Sequence, residues 1–227
     1  MSKSAPPSGA TRSASCTRSL FGRRGRPSAA EAERLSDHIL DTGWAMLLEG
    51  GFENFSFEKL ARAARTGKPT IYSRFGDKRG FMKALLERRK AKRAETIREI
   101  TRGLPFRDAL CLQASSVLDL LFSDEGVLYE RLIDWLDEEP GNDGPTARGA
   151  SYATALEAIR NVLQAGVDTG EAHFDDIEES ACFWLEAMIG HARLAKSNGT
   201  PGRAENECWA RVHTDRFLRA FGGLPTA

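Results

Sequence analysis

The stretch that decides the fold runs from Phe55 to Phe75 and contains the sequence FSFEKLARAARTGKPTIYSRF. Its apolar residues recur at helical spacing in two short blocks separated by about four residues, which predicts two short helices joined by a turn. Leu60, Ala64 and Ile71 are predicted to point into the crossing between these helices. Ala61 is small enough to let the helices approach closely. This arrangement is typical of a helix-turn-helix, whose second helix places its first side chains against base edges in the major groove of DNA.

Helical periodicity continues on both sides of this stretch. Ser28 and Glu31 form a capping-box pattern that opens a first helix over about 28–49. A long helix is predicted from Asp77 to about Arg102. Beyond it, every periodic segment is typical of a helix and none alternates long enough to indicate a sheet. The sequence therefore predicts an all-α fold, and the remaining segments are 105–122, 124–138, 146–169, 175–197 and 203–222.

Short polar signals mark the boundaries of the later helices. Ser123 is predicted to cap the segment 124–138. Asp175 with Glu178 repeats the capping-box spacing ahead of the segment 175–197. The dense glycine and proline residues at 140–145 predict a loop.

The charges are unevenly distributed although the formal net charge is zero. Residues 1–102 carry 22 Lys and Arg against 11 Asp and Glu, whereas residues 103–227 carry 10 against 21. A basic part joined to an acidic part indicates that only the first meets a polyanion, and nucleic acid is the first candidate.

Residues 1–27 contain six basic residues, no acidic residue and little apolar surface, so we expect a disordered basic arm. Arg23, Arg24 and Arg26 adjoin the folded domain, where they either contact DNA or belong to a passive tail.

On the long helix, the basic run from Arg88 to Arg93 is interpreted as a solvated face, with a second DNA or membrane surface as the alternative.

Several classes of protein are not supported by the composition, which is 41% hydrophobic and 28% charged. No stretch approaches the roughly 18 apolar residues of a membrane span, and a secretory signal is missing, so a cytoplasmic location without a membrane partner is expected. Single histidines and widely spaced cysteines predict neither a metal site nor a cofactor, and no catalytic residues are proposed. Cys111, Cys182 and Cys208 are interpreted as small buried apolar residues.

The order of elements over about residues 28–86 resembles the tetracycline-repressor (TetR) family of transcriptional regulators. The first helix ends at Gly50-Gly51-Phe52, Ser56-Phe57 opens the second, and Asp77-Lys78-Arg79 opens the fourth. The run Thr-Ile-Tyr-x-x-Phe-x-x-Lys, from Thr70 to Lys78, is the most specific feature. Arg65 departs from the pattern, because members commonly have glycine in this turn.

The resemblance assigns roles in DNA binding. Lys68, Pro69, Thr70 and Ser73 lie on the exposed side of the second helix by helical spacing and would face base edges. Tyr72 and Lys78 match positions that usually bind phosphate, with a packing residue and a solvated helix start as the respective alternatives. The predicted DNA-binding residues are Arg23, Arg24, Arg26, Ser56, Lys68, Pro69, Thr70, Tyr72, Ser73, Arg74 and Lys78.

For the acidic half, the resemblance implies a domain that binds a small-molecule effector and forms the homodimer. We expect an apolar effector, because Arg131 and Arg160 are interpreted as surface partners of Glu130, Asp134 or Glu157. The predicted effector-binding residues are Phe122, Tyr129, Leu132, Trp135, Tyr152, Leu156, Trp184 and Met188. The predicted dimer interface contains Leu185, Ile189, Trp209 and Phe217, although about half of this apolar surface is expected to close the monomer core instead.

The predicted organisation is a disordered basic arm at 1–27, an N-terminal three-helix helix-turn-helix domain at 28–76, a connecting helix 4 at 77–102 and a C-terminal helical effector-binding and dimerisation domain at 103–227. The resemblance implies a ligand-responsive repressor that binds a near-palindromic operator in double-stranded DNA as a homodimer and that a small molecule releases. The alternative is a nucleoid-associated or architectural DNA-binding protein whose acidic half recruits a protein partner. An enzyme is the weakest interpretation.

Overall fold

The computed structural model describes residues 28–138 and 145–223, and these residues confirm the all-α prediction. No helix within these ranges is long and apolar enough to cross a membrane. The predicted arm at 1–27 and most of the predicted loop at 140–145 lie outside the described residues. The nine described helices are α1 (Ala29–Gly50), α2 (Phe57–Ala63), α3 (Lys68–Phe75), α4 (Lys78–Thr101), α5 (Phe106–Phe122), α6 (Asp124–Glu138), α7 (Ala147–Asp168), α8 (Ile177–Asn198) and α9 (Arg203–Ala220).

Two very short strands join the end of the chain to the α7–α8 connection. Strand β1 (His173–Phe174) pairs antiparallel with β2 (Gly222–Gly223). The sequence did not predict this pairing, because two residues are too few to show an alternating pattern.

Two of the predicted caps are confirmed. The Ser28 backbone N–H donates to the Glu31 carboxylate at 2.8 Å, and the Glu31 backbone N–H donates to the Ser28 hydroxyl at 3.2 Å. The Ser123 hydroxyl accepts from the backbone N–H of Gly126 at 3.1 Å. These bonds satisfy backbone donors in the first turns of α1 and α6.

The predicted cap of α8 is displaced by one residue. Asp176, and not Asp175, is the N-cap, and its carboxylate accepts from the backbone N–H of Glu179 at 2.9 Å. Because Glu178 and Glu179 follow Asp175 and Asp176 at the same spacing, the sequence offers two equivalent registers for this cap.

The core of the DNA-binding helices is centred on Phe81 of α4, which is fully buried. The rings of Phe55, Phe57 and Phe75 surround it, with centroids 5.2 to 5.6 Å away. Gly43 of α1 lies directly against the Phe81 ring. A Cβ atom built at Gly43 would be only 2.5 Å from the Phe81 Cζ atom. The close approach of α1 to this ring therefore requires glycine.

Helix α6 shares the core of α1–α4. Its buried residues Leu128, Leu132, Ile133 and Leu136 pack in one cluster with apolar residues of these helices. A second cluster is built from α5, α7, α8 and α9 together with β1. The two hydrophobic cores therefore do not coincide with the predicted boundaries at residues 76 and 102.

The basic run of α4 binds neighbouring helices. Arg88 forms an ion pair with Asp37 of α1 at 2.8 Å, and the Arg89 guanidinium lies 4.5 Å from the centroid of the Trp44 ring. Arg93 donates to a backbone carbonyl of α5. The interpretation of this run as a solvated face is therefore wrong for these three arginines, whose side chains are half-buried between helices.

Candidate functional site

The first turn of α3 presents side chains to solvent. Ile71 is fully buried, which anchors the helix and confirms its predicted inner face. Lys68, Pro69 and Ser73 are exposed, whereas Thr70 is half-buried. The helix therefore offers a short polar surface at the position where a helix-turn-helix meets base edges.

The turn between α2 and α3 has a left-handed residue that is not glycine. Arg65 has φ of 50°, in the region that favours glycine because the Cβ of other residues is crowded there. The backbone N–H of Thr66 closes the turn by donating to the Ala61 carbonyl at 2.9 Å. The chain thus adopts the backbone conformation of a glycine turn despite its arginine.

Lys68 is positioned by a residue that the sequence analysis missed. Its Nζ lies 3.1 Å from a carboxylate oxygen of Glu58 on α2. The hydrogen bond and charge of Lys68 lower the pKa of Glu58, so this carboxylate is ionised beside the exposed surface. No motif singles out Glu58, because it precedes Lys68 by ten residues and the two meet only through the helix crossing.

Tyr72 and Ser56 both have structural contacts. The Tyr72 ring packs edge-on against Phe57 with 5.1 Å between centroids, while 53% of the residue remains exposed. The Ser56 hydroxyl accepts from the backbone N–H of Lys59 at 3.2 Å, which makes Ser56 the N-cap of α2. The DNA contacts of Tyr72 and Ser56 stay predictions.

Arg74 is turned toward the protein. One of its terminal nitrogens donates to the Ala32 carbonyl and to the Ser36 hydroxyl, each at 2.7 Å. The guanidinium therefore links α3 to α1, and this geometry does not support the predicted role of Arg74 in DNA binding. Because the partners are 38 and 42 residues away in sequence, helical spacing alone does not indicate this contact.

Lys78 and Trp135 meet at the junction of the DNA-binding helices with α6. The Lys78 Nζ lies 5.3 Å from the Trp135 ring centroid, within the range of a cation–π interaction. Trp135 also stacks on Phe52, with 6.3 Å between centroids. This position of Trp135 differs from the predicted one in an effector pocket, and Tyr129 and Leu132 pack in the same cluster.

The other predicted effector residues lie in or against the second core. Trp184 and Met188 are fully buried there, and Phe122, Tyr152 and Leu156 pack at its edge. The Tyr152 hydroxyl donates to Glu186 at 3.2 Å. Burial and the neighbouring Cys182 and Glu186 raise the pKa of Tyr152 to about 12.

A cavity of about 560 Å³ lies between the second half of α4, the first half of α5 and the second half of α7. Among its described lining residues, none belongs to the predicted effector set. The sequence analysis missed it because small residues of these helices form much of the wall, and small residues leave no distinctive pattern. The lining residues are Ala94, Ile97, Arg98, Thr101, Leu104, Phe106, Ala109, Gln113, Ala158, Asn161, Val162, Ala165, Gly166, Thr169 and Glu171.

The predicted dimer residues divide into two groups. Leu185 and Phe217 are buried within the chain itself, at 5% and 2% exposure, so they do not offer a surface to a partner. Ile189 and Trp209 are half-buried. Exposed apolar area on α8 and α9 is instead contributed by residues such as Phe183, at 48% exposure.

An aromatic stack follows the α8–α9 contact. The Trp209 ring lies between His191 and His213, with centroid distances of 3.9 and 4.7 Å. Burial, together with the nearby His191, lowers the pKa of His213 to about 4. His213 is therefore neutral at physiological pH.

Ion pairs of the acidic half differ in part from the predicted ones. Arg160 pairs with Glu157, as expected, and also with Glu178 at 2.8 Å. Arg148 occupies the place predicted for Arg131, because it pairs with Glu130 at 2.9 Å and Asp134 at 2.7 Å.

The interpretation of the three cysteines as buried apolar residues is corrected by their exposure. Cys111 and Cys182 are half-buried, and Cys208 is exposed.

A helix-turn-helix joined through a long helix to an all-helical domain defines a class of DNA-binding regulators. Residues 39–85 match the family described as bacterial regulatory proteins, tetR family. This match covers the second half of α1, all of α2 and α3 and the first turns of α4, so this part of the chain is similar to the tetR family of bacterial regulatory proteins.

Three solved structures support the same fold. A TetR-family regulator from Mesorhizobium loti superposes with a TM-score of 0.70 at 20% identity, covering 85% of this chain and 98% of its own. A TetR regulator from Agrobacterium tumefaciens gives 0.62 at 23% identity, covering 83% and 94%. SmeT, solved as a complex with triclosan, gives 0.57 at 16% identity, covering 84% and 92%. A search of curated protein sequences found no match.

Proposed function

We propose that this protein is a repressor that binds a near-palindromic operator as a homodimer and that a small, predominantly apolar molecule releases it. The observation that carries DNA recognition is the outer face of α3, where Lys68, Pro69 and Ser73 are exposed while Ile71 is buried on the inner face. In a dimer, two such helices would enter successive major grooves about 34 to 36 Å apart.

The proposed effector site is the α4–α5–α7 cavity. Its volume of about 560 Å³ is within the usual range of small-molecule sites, and its wall is mainly carbon. SmeT, a structural neighbour, is known with a bound small molecule. Helix α4 extends from Lys78, beside the DNA-binding helices, to the cavity wall at Ala94–Thr101. A ligand that prefers one position of α4 would therefore shift the spacing of the two recognition helices and release DNA.

The test begins with selection of the preferred site from a random DNA library by the full-length protein. Lys68→Ala and Thr70→Ala should each weaken binding to the selected site by about 5- to 150-fold, with a smaller loss on random DNA. Lys196→Ala, which removes an exposed lysine of α8, is the matched control and should change neither affinity. Equal losses on both DNAs would show that Lys68 and Thr70 contact only phosphate.

The arm at residues 1–27 is tested separately. If Arg23, Arg24 and Arg26 contact phosphates, deletion of residues 1–26 should weaken binding and reduce the salt dependence by about 0.9 in log–log slope for each lost contact. An unchanged slope would identify a passive tail.

The architectural alternative is favoured by the acidic character of residues 103–227, which suits a protein partner. A genome-wide binding map separates the two functions. A few sites that are lost on addition of a small molecule support the repressor, whereas many sites that are indifferent to small molecules support the architectural protein.

A further inference from the structure

The α4–α5–α7 cavity has one deeply buried polar residue in its wall. Gln113 of α5 is only 2% exposed, and its Oε1 atom has no hydrogen-bond partner among the described residues. An acceptor that is buried without a donor loses its hydrogen bond to water and forms no other, so its burial lowers the free energy of unfolding. The unpaired oxygen therefore indicates a missing donor.

Other unpaired polar atoms differ from this one in their surroundings. Trp184 Nε1 and Asn206 Oδ1 are also buried without partners, but neither residue belongs to the described cavity wall. Gln113 combines an unpaired oxygen with a cavity large enough for a ligand. That combination makes it the candidate for ligand contact, which requires the amide to turn toward the cavity because Oε1 itself has almost no exposed surface.

The charged residues of the wall are exposed or already engaged. Arg98 is exposed, and its Nε donates to the Ala94 carbonyl of the same helix at 3.3 Å. The Glu171 carboxylate accepts from the backbone N–H of Phe106 at 2.9 Å and from the Thr169 hydroxyl at 3.0 Å. Among the described lining residues, none is a buried cation that could bind an anionic ligand, and Glu171 would repel such a ligand.

We propose that the cavity selects a neutral, largely apolar molecule with one hydroxyl or N–H group, whose proton is donated to the Gln113 amide oxygen. This inference rests on the proposed function, because it takes the same cavity as the effector site. It adds the chemical class of the ligand and names Gln113 as the residue that determines specificity.

The test uses 2-naphthol and its methyl ether, 2-methoxynaphthalene, which differ in the hydroxyl donor. Calorimetric titration of the full-length protein should show 2-naphthol binding about tenfold or more tightly than the ether. Gln113→Leu and Gln113→Met remove the acceptor at similar volume and should abolish this preference. Gln164→Leu is the matched control, because Gln164 lies on the same helix as part of the wall but is exposed and bonded to Asp168.

The outcomes separate this inference from the proposed function. Equal affinity for the two compounds, binding of neither, or a preference that survives in both Gln113 variants would overturn the assignment of Gln113. The repressor itself would still stand if Lys68→Ala and Thr70→Ala reduce discrimination among DNA sequences. If those two variants leave discrimination unchanged, the proposed function fails whatever the cavity binds.

Discussion

At the scale of single residues, the turn of the helix-turn-helix shows how a departure from a family pattern is accommodated. Arg65 keeps the left-handed backbone that glycine usually supplies, with φ of 50°. A residue with a Cβ is disfavoured in this conformation by roughly 1 to 2 kcal/mol. The DNA-binding domain therefore retains a small strain at an exposed position.

Arg65→Gly should raise the free energy of unfolding by about 0.5 to 1 kcal/mol, because relief of this strain exceeds the extra entropy of glycine in the unfolded chain. Urea denaturation measures the change. Arg65→Ala is the control, since it removes the charge but keeps the Cβ and should bring no such gain. A Gly variant that is less stable than wild type would contradict the prediction.

His213 should make stability depend on pH. Its folded pKa is about 4, below the ordinary value of 6.5, so the unfolded chain takes up a proton first as the pH falls. Stability should therefore be lost between about pH 6.5 and pH 4. His213→Phe keeps a ring beside Trp209 and should flatten the slope of unfolding free energy against pH in that window. An identical slope in the variant would assign the pH dependence to other groups.

At the scale of helices, the sequence predicted much of the secondary structure but little of the tertiary pairing. Strong periodicity and caps such as Ser28 and Ser123 placed the helix ends within a few residues, because these signals are local. Periodicity shows that a helix has an apolar face without showing which helix covers it. From the sequence we accordingly expect Trp135 and Leu132 in a pocket, whereas in the structure they pack against the DNA-binding helices.

The contact of α1 with α4 gives a sharp prediction. Gly43→Ala should lower the free energy of unfolding by about 1 to 3 kcal/mol, because the new Cβ would press on Phe81 in a ring cluster that leaves it no room. Helix propensity alone would favour alanine by about 1 kcal/mol. Gly190→Ala on α8 is the matched control, since a Cβ there meets nothing within 4 Å. Thermal and urea unfolding measure both variants, and a stabilised Gly43→Ala would refute the close approach.

At the scale of the whole molecule, the exposed apolar residues of α8 and α9 are the surface on which the proposed dimer depends. Phe183 and Val212 are exposed on these helices, whereas Leu185 and Phe217 are covered by the chain itself. Burial within one chain and burial between two chains give the same amphipathic sequence pattern, so the sequence could not separate these pairs.

Phe183→Glu should therefore give a folded monomer with weakened operator binding, because the charge meets the partner's apolar surface and not the chain's own core. Leu185→Glu should instead unfold the chain. Sedimentation and circular dichroism distinguish the two results. A Phe183→Glu protein that remains a dimer at micromolar concentration would remove this face from the interface.

The core that α6 shares with α1–α4 also constrains how hybrid regulators can be engineered from this protein. A graft that joins residues 28–102 to a foreign sensor domain would separate the DNA-binding helices from Leu128, Leu132, Ile133 and Leu136, which fill the same core. The foreign helix would then leave voids or clashes beneath Trp44 and Leu85. A workable exchange must therefore carry the inner face of α6 along with the DNA-binding domain, although the two are separated in sequence by the whole of α5.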